Sequence, residues 1–575
     1  MTWPLMRGRA GLPRARSGGK GKEKEVMLEG FVGWPEDYVR KYQQAGYWQG
    51  DVVGDIIDNG RARFPDRIAL SFQGKHVTYE ALGKRVNRLA LHLLDMGHRP
   101  LDRLILQLPN LPETLYLYFA AVKIGVIPVM TLPAHRQAEI GYFADFTRAT
   151  SYAIPKAFRG FDYMKMAQEI ISQTPTLKRI LLLDADVPSG FISLTRLLED
   201  PIEERENAQA ILKEARPDPL WPAVFQLSGG TTGVPKLIPR THNDYTYNSS
   251  LCQILSGSGA DTALLIGIPI THNFPTTFLQ GVFMCGGKVV ISPNPAPDAV
   301  LPLIEEEGVT TVPAVPATVI SYVNDPDLQR YDLSSLKLCL VGGSKLQPEV
   351  AQEIGPKLGS DVQQILGMAE GPNFCTRLDD PDEVKFYTQG RAISPGDEIR
   401  IVNDDGDEVP QGEVGELTVR GPYTIRGYFN SPEHNAAAFT PEGFYKSGDL
   451  VRRHPSGNLI VEGRLKDTIN RGGEKISAEE MENHILAFPK LLNCAYVAMP
   501  DPVLGEKACL FAVTKGGEKV SLEELNNFLV NERKIAKFKL PERLELVDQL
   551  PQTHVGKINK KELRRIIADK LKETG

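Results

Sequence analysis

The densest chemical signal in this sequence is Ser228-Gly229-Gly230-Thr231-Thr232-Gly233-Val234-Pro235-Lys236, placed directly after the apolar run Ala223–Leu227. Glycines let a backbone turn its N–H groups toward a polyanion. Ser228, Thr231 and Thr232 add hydroxyl donors and Lys236 adds a positive charge, so the loop suits phosphate. A Walker loop needs GxxxxGK[ST]; here Lys236 lies three residues after Gly233 and precedes Leu237, which argues against a P-loop kinase or ATPase. A second candidate is Gly367-Met368-Ala369-Glu370-Gly371. A carboxylate in a glycine-flanked turn can ligate Mg²⁺, a hard cation that accompanies nucleotide phosphates. No nucleophile elbow or Ser-His-Asp set points to a covalent enzyme intermediate.

The segments around these loops have the grammar of a layered α/β protein. Residues 79–96 place Leu82, Val86, Leu89 and Leu93 on one helical face, with Gly97 as the cap. The short run Leu104–Leu108, a helical stretch over 113–124 ending at Gly125, and Val126–Met130 form strand, helix and strand. That order implies parallel sheet with helices on its faces. Ala223–Leu227, Thr262–Ile270, Lys288–Ser292 and Leu336–Val341 read as further buried strands. Over 395–465, short strands alternate with turns such as Asp404-Asp405-Gly406, predicting a mostly β subdomain. After Gly472-Gly473 the helix and strand pattern returns, and the chain ends in a Lys-rich amphipathic helix over 560–573. The expected fold class is therefore α/β, with a boundary near residue 465.

Composition limits the function classes. The 575 residues are 42% hydrophobic and 24% charged, with 66 Lys plus Arg against 72 Asp plus Glu, a net charge of −6. So mild an acidity argues against nucleic acid as the main partner. No apolar run reaches the roughly 18 residues of a membrane span. The six cysteines, Cys252, Cys285, Cys339, Cys375, Cys494 and Cys509, include no CxxC pair and read as reduced thiols of a cytoplasmic protein. Residues 1–26 are Arg-, Lys- and Gly-rich with no apolar stretch, which reads as a disordered basic extension and not a secretory signal.

The loop Ser228–Lys236 resembles the signature of the adenylate-forming superfamily, and Leu237-Ile238-Pro239-Arg240-Thr241-His242 is similar to the stand-alone aryl acid-AMP ligases of siderophore assembly, the 2,3-dihydroxybenzoate-AMP ligase group. The resemblance runs from Met27 to the end, through Gly421-Pro422-Tyr423-Thr424-Ile425-Arg426-Gly427-Tyr428 and Ile469-Asn470-Arg471-Gly472-Gly473-Glu474-Lys475. It implies the adenylate-forming fold: a large N-terminal domain of parallel and mixed sheets with flanking helices plus a β subdomain (27–465), and a small mobile α+β C-terminal domain (466–575). It implies that MgATP and an aryl acid, 2,3-dihydroxybenzoate or salicylate-like, give aryl-AMP and pyrophosphate. The acyl group then passes to the phosphopantetheine thiol of an aryl carrier protein, in a pathway of nonribosomal peptide synthesis. Such a carrier is expected as a separate chain, because no carrier domain follows Lys557.

By the same resemblance, Ser228, Gly229, Gly230, Thr231, Thr232, Lys236, Gly367 and Met368 bind ATP. Asp449, in Tyr445-Lys446-Ser447-Gly448-Asp449, holds the ribose, where a carboxylate accepts strong charge-assisted bonds. Arg464 contacts ribose or phosphate and Lys466 is the hinge, within Gly463-Arg464-Leu465-Lys466-Asp467. Glu370 is the magnesium-associated carboxylate. Lys557, in Pro551-Gln552-Thr553-His554-Val555-Gly556-Lys557, is the catalytic lysine. His272 borders the acid and phosphate pocket, Asn273 contacts the ortho-hydroxyl, and Phe274, Gly342 and Gly343 line the acid site. The sequence departs from the pattern in the segment after His272, which is about two residues short, at Leu366, where an aromatic residue usually stacks on adenine, and at Pro372-Asn373, where apolar residues are usual; these changes leave the nucleotide chemistry intact and bear on which acid is used. An aryl- or acyl-CoA synthetase is the alternative reading; a non-catalytic nucleotide-binding homologue is disfavoured because Lys557 and Glu370 are both present.

Overall fold

The computed structural model describes residues 28–228, 236–471, 474–501, 504–533, 535, 537–553 and 556–574. The basic extension 1–26, the loop residues Gly229, Gly230, Thr231 and Thr232, and Gly472-Gly473 lie outside the described residues. Among the described residues, two large sheets carry the N-terminal part. A nine-stranded sheet has six parallel strands at its centre, in the order Asp361–Gly367, Leu338–Gly342, Thr311–Ala314, Ala263–Ile266, Lys288–Ile291 and Ile68–Phe72, with antiparallel strands at both edges. A seven-stranded sheet is parallel except for its edge hairpin, Pro222–Leu227 against Leu237–Thr241.

One continuous apolar core joins the two sheets through the helices Tyr79–Asp95, Pro112–Lys123, His242–Leu255 and Asn273–Cys285. The first of these follows the predicted face. Leu82, Val86, Leu89 and Leu93 are buried, the Thr78 hydroxyl accepts from the Ala81 N–H, and Gly97 takes the left-handed conformation beyond the helix end. Each such buried side chain contributes about 1.5–3 kcal/mol. One strand is shorter than the apolar pattern implies. Only Ala263–Ile266 of Thr262–Ile270 is strand. Beyond it the chain turns away, and the Asn110 amide bonds to the carbonyls of Gly267 and Ile268 in place of a neighbouring strand. Apolarity there serves a buried turn, and that turn delivers His272.

The β region is a four-stranded antiparallel sheet, Glu398–Val402, Gly415–Arg420, Tyr445–Arg453 and Leu459–Arg464. A short 3₁₀ turn, Leu465–Asp467, leads to a five-stranded sheet. Helices Ala478–Leu486 and Leu522–Asn531 cover one of its faces. Lys560–Thr574 covers the other, burying Leu563 and Ile567; Lys560 and Arg564 turn inward to pair with Glu482 and Asp467 while Lys561 and Arg565 face solvent, so the tail is amphipathic but not wholly solvated. The α/β class, the β subdomain and the small α+β unit are thus all present. The described cysteines are free thiols, and no described helix is long and apolar enough to cross a membrane.

Candidate active site

In open α/β sheets, ligands sit beyond the carboxyl ends of the strands. Here a cavity opens at that edge of the nine-stranded sheet, lined by His272, Asn273, Phe274, Gly342, Gly343, Gly367, Met368 and Lys557 among others. Eight residues singled out in sequence therefore share one wall, although they span 285 positions of chain from His272 to Lys557. Gly342 ends strand Leu338–Gly342; a Cβ on it would lie 3.3 Å from the Phe274 ring. Gly343 has φ of +94°, and a Cβ there would meet the Lys557 stem at 3.4 Å. The two glycines make the shelf on which the lysine and the aromatic ring rest.

His272 caps the helix Asn273–Cys285, its Nδ1 accepting from the Phe274 N–H at 3.4 Å. That bond leaves the proton of the neutral ring on Nε2. Burial, helped by the Lys557 charge, pushes the His272 pKa down to about 4, so the ring is neutral at physiological pH. The Asn273 amide is oriented by a relay. The Gln226 amide donates to the Tyr245 hydroxyl at 3.1 Å, which donates to Asn273 Oδ1 at 3.0 Å. Tyr245 and Gln226 were not singled out in sequence; no motif marks them, because the relay joins a strand and two helices.

Glu370 lies in a tight turn. Gly371 has φ of +125°, and a Cβ there would come within 1.8 Å of the Tyr423 carbonyl oxygen, so only glycine fits. The Tyr428 hydroxyl donates to Glu370 Oε1 at 2.8 Å, and the Lys236 ammonium sits 4.8 Å from the centre of the Tyr428 ring. Ser228 and Lys236 close the base of the glycine-rich loop, with Ser228 N–H to the Lys236 carbonyl at 3.0 Å and Lys236 N–H to Ser228 Oγ at 2.9 Å. The buried Arg240 guanidinium ties this hairpin to the carbonyls of Ala369 at 3.1 Å and Tyr423 at 3.2 Å.

Asp449 is 2% exposed, and Arg464 reaches its Oδ1 at 2.6 Å across paired strands. Its Oδ2 is buried with no hydrogen-bond partner among the described residues. Burial raises the Asp449 pKa, against the pull of Arg464 and Lys557. A surface ion pair would have no such orphan. A buried carboxylate oxygen without a donor is costly and fits a ligand hydroxyl. Lys557 feels Asp449, Arg464, Lys466 and Glu370; burial, followed by Arg464, pushes its pKa down to about 8. Lys466 is exposed on the 3₁₀ turn between the sheets. Leu366 packs beside the core of the β region.

The family described as AMP-binding enzyme matches residues 57–429, and its C-terminal domain matches residues 480–557. The chain belongs to the AMP-binding enzyme family. A Bacillus subtilis relative named 2,3-dihydroxybenzoate-AMP ligase is 43% identical over 95% of this chain and 99% of its own. A Streptomyces relative named salicylyl-CoA synthase / salicylate adenylyltransferase is 45% identical over 95% and 99%. Among solved structures, apo MbtA of Mycobacterium smegmatis is 39% identical over 93% of this chain and 98% of that one, with a TM-score of 0.70.

Magnesium can be tested against the donors of this AMP-binding enzyme. Among the described residues there is no group of three or more His, Cys, Asp or Glu able to cage a metal. Glu370 stands as a single carboxylate, 9% exposed, near the base of the glycine-rich loop. That suits Mg²⁺, which typically takes one or two protein carboxylates and fills its shell with phosphate oxygens and water.

In the same AMP-binding enzyme, the relay to Asn273 leads to a first expectation. Tyr245→Phe removes the donor to Asn273 Oδ1 and frees the amide to turn. Steady-state adenylation should show KM for an ortho-hydroxy acid raised about 5–10-fold, the worth of about one hydrogen bond. The KM for benzoate should change much less; an equal rise for both acids would reject the orienting role.

Proposed function

We propose that this enzyme joins an ortho-hydroxy aryl acid such as 2,3-dihydroxybenzoate or salicylate to AMP, releasing pyrophosphate, and passes the acyl group to a phosphopantetheine thiol. The observation that carries this reading is the cavity walled by Phe274, Gly342 and Gly343, edged by the oriented Asn273 and topped by Lys557.

Each side chain then has a task. Asp449 takes hydrogen bonds from the ribose hydroxyls through its orphan oxygen, while Arg464 holds the carboxylate in place. The hydroxyls and N–H groups of Ser228 to Thr232, with Lys236, bind the phosphates. Gly367 and Met368 border the nucleotide side of the cavity. Glu370 would hold Mg²⁺, which supplies charge neutralisation on the phosphates. His272 offers its Nε2–H to the carboxylate or the α-phosphate and adds no charge. Asn273 keeps its amide nitrogen for the ortho oxygen. Lys557 stands between the carboxylate and the α-phosphate. A carboxylate oxygen forms a bond to the α-phosphorus as the bond to the bridging oxygen breaks. Negative charge gathers there, and the lysine stabilises it. In the second half-reaction the sulfur bonds to the acyl carbon and AMP leaves. That step needs the lysine out of the way, which a rotation about Lys466 supplies. The domain limits 27–465 and 466–575 follow from that hinge.

The resemblance of the sequence motifs to the ligases of siderophore assembly supports a carrier protein as acceptor; the relative named for salicylyl-CoA supports free CoA as the second reading. ATP–pyrophosphate exchange with 2,3-dihydroxybenzoate, salicylate, benzoate, 3,4-dihydroxybenzoate, hydroxypicolinate and a fatty acid tests the first half-reaction. Exchange confined to ortho-hydroxy aryl acids is expected; exchange with the fatty acid alone would reject the aryl reading. Thioester formation with CoA or with a phosphopantetheinylated aryl carrier protein separates the acceptors. A soluble, cytoplasmic enzyme fits both.

The lysine also sets a pH dependence. Its pKa is lowered, so the useful cation is fully present below about pH 8 and is lost as pH rises through that value. The kcat/KM for adenylation should therefore fall about tenfold per unit on the basic side of pH 8. Lys557→Arg, whose charge persists, should remove that limb whatever its rate. A profile flat to pH 10 in the wild type would contradict the assignment.

A further inference from the structure

The cavity has a polar corner that neither the ortho-hydroxyl nor the carboxylate uses. Asn373, on the edge strand Asn373–Cys375, lines the cavity and is 7% exposed. Its Nδ2 donates to Asn248 Oδ1 at 2.9 Å. Its Oδ1 lies over Gly367, another lining residue, so close that a Cβ on that glycine would sit 2.3 Å from it. Behind it, Asn248 is fully buried on the helix His242–Leu255, one turn before the lining residue Cys252. Asn248 Nδ2 has no hydrogen-bond partner among the described residues. A buried amide pair with one unmet donor is a poor way to hold a strand, since a leucine or valine pair would fill the space without leaving polar atoms unpaired. It is a good way to receive a polar ligand group.

We propose that Asn373, backed by Asn248, reads a second hydroxyl on the ring of the acid, making the preferred substrate a dihydroxylated aryl acid and not a monohydroxylated one. This rests on the aryl-acid reading above. A ring hydroxyl can donate to Asn373 Oδ1. It can equally accept if the two amides turn end for end together, which would also give Asn248 Nδ2 an acceptor in Asn373. The thiols of Cys252 and Cys375 flank this corner and are small enough to leave room for the substituent. A site built to bond a hydroxyl discriminates strongly against the analogue that lacks it, because its own polar atoms are then left unpaired.

The test compares kcat/KM for ATP–pyrophosphate exchange with salicylate and with the 2,3-, 2,4-, 2,5- and 2,6-dihydroxybenzoates, in the full-length wild type and in Asn373→Val. At least one dihydroxy isomer should exceed salicylate by about tenfold or more in the wild type. In the variant that ratio should collapse to within about threefold. Ratios taken on one preparation cancel any loss of folded protein, and Asn373→Ala serves if the valine variant does not fold. Salicylate turning over as well as every dihydroxy isomer would overturn this proposal and leave the aryl-acid reading standing. A preference that survives Asn373→Val or Asn373→Ala would also overturn it. Exchange with none of these acids would remove both.

Discussion

Lys557→Ala should lower the rate of aryl-AMP formation by about 10²–10³-fold, the effect of losing one preorganised donor at a developing charge. The Lys557 stem lies against Gly343 and shares the cavity wall with His272 and Asn273, and its charge is within the electrostatic reach of Asp449 and Glu370. Other positive groups do not replace it. Arg464 is committed to Asp449, and His272 is neutral with a pKa pushed down to about 4. The variant should remain folded, because a lysine whose charged form is penalised by burial adds little stability. Exchange measured beside thioester formation from supplied aryl-AMP separates the two half-reactions. Exchange should collapse while thioester formation changes by no more than a few-fold. Exchange within tenfold of the wild type would remove Lys557 from the adenylation step.

Asp449→Ala should weaken ATP and AMP binding by about 10–100-fold, since each hydrogen bond to a charged acceptor is worth about 1.5–3 kcal/mol. Its cost in stability should be small or even reversed. The folded chain already bears the burial of this carboxylate, one of whose oxygens has no hydrogen-bond partner among the described residues. Arg464, whose side chain is 43% exposed, can return to water once its partner is gone. Calorimetric titration with AMP and a thermal melt of the same variant check both halves. A large fall in melting temperature with unchanged AMP affinity would make Asp449 a structural residue.

How much of this was legible in the sequence differs from one residue to the next. Gly371 carries its own message, since a glycine beside a loop carboxylate implies a close approach, and the approach is to Tyr423. The helix at 79–95 declared itself through leucine spacing, and its face is the buried one. The strand at 262–270 misled beyond Ile266, because burial and strand pairing both favour apolar residues and only the backbone's neighbours tell them apart. Lys557 was legible only through its motif; by composition it is one lysine in a lysine-rich tail. Tyr245, Gln226 and Tyr428 act through hydrogen bonds to residues 28, 19 and 58 positions away, and no local pattern encodes such a pairing.

The order of motifs along the chain by itself determined the family, the layered α/β class and the adenylation chemistry, because glycine-rich turns, strand ends and their polar residues are local features with fixed spacing. Only the tertiary structure decided which of those residues share a cavity. It placed the Asp449 carboxylate with an oxygen unmet, and it set His272 as a neutral helix cap beside a lysine. It also placed Asn373, which the sequence marked only as a polar residue where apolar ones are usual, on the wall of that cavity. The physical reason is that burial, electrostatic coupling and hydrogen-bond satisfaction depend on distances through space, and folding sets those distances between segments that sequence leaves hundreds of residues apart.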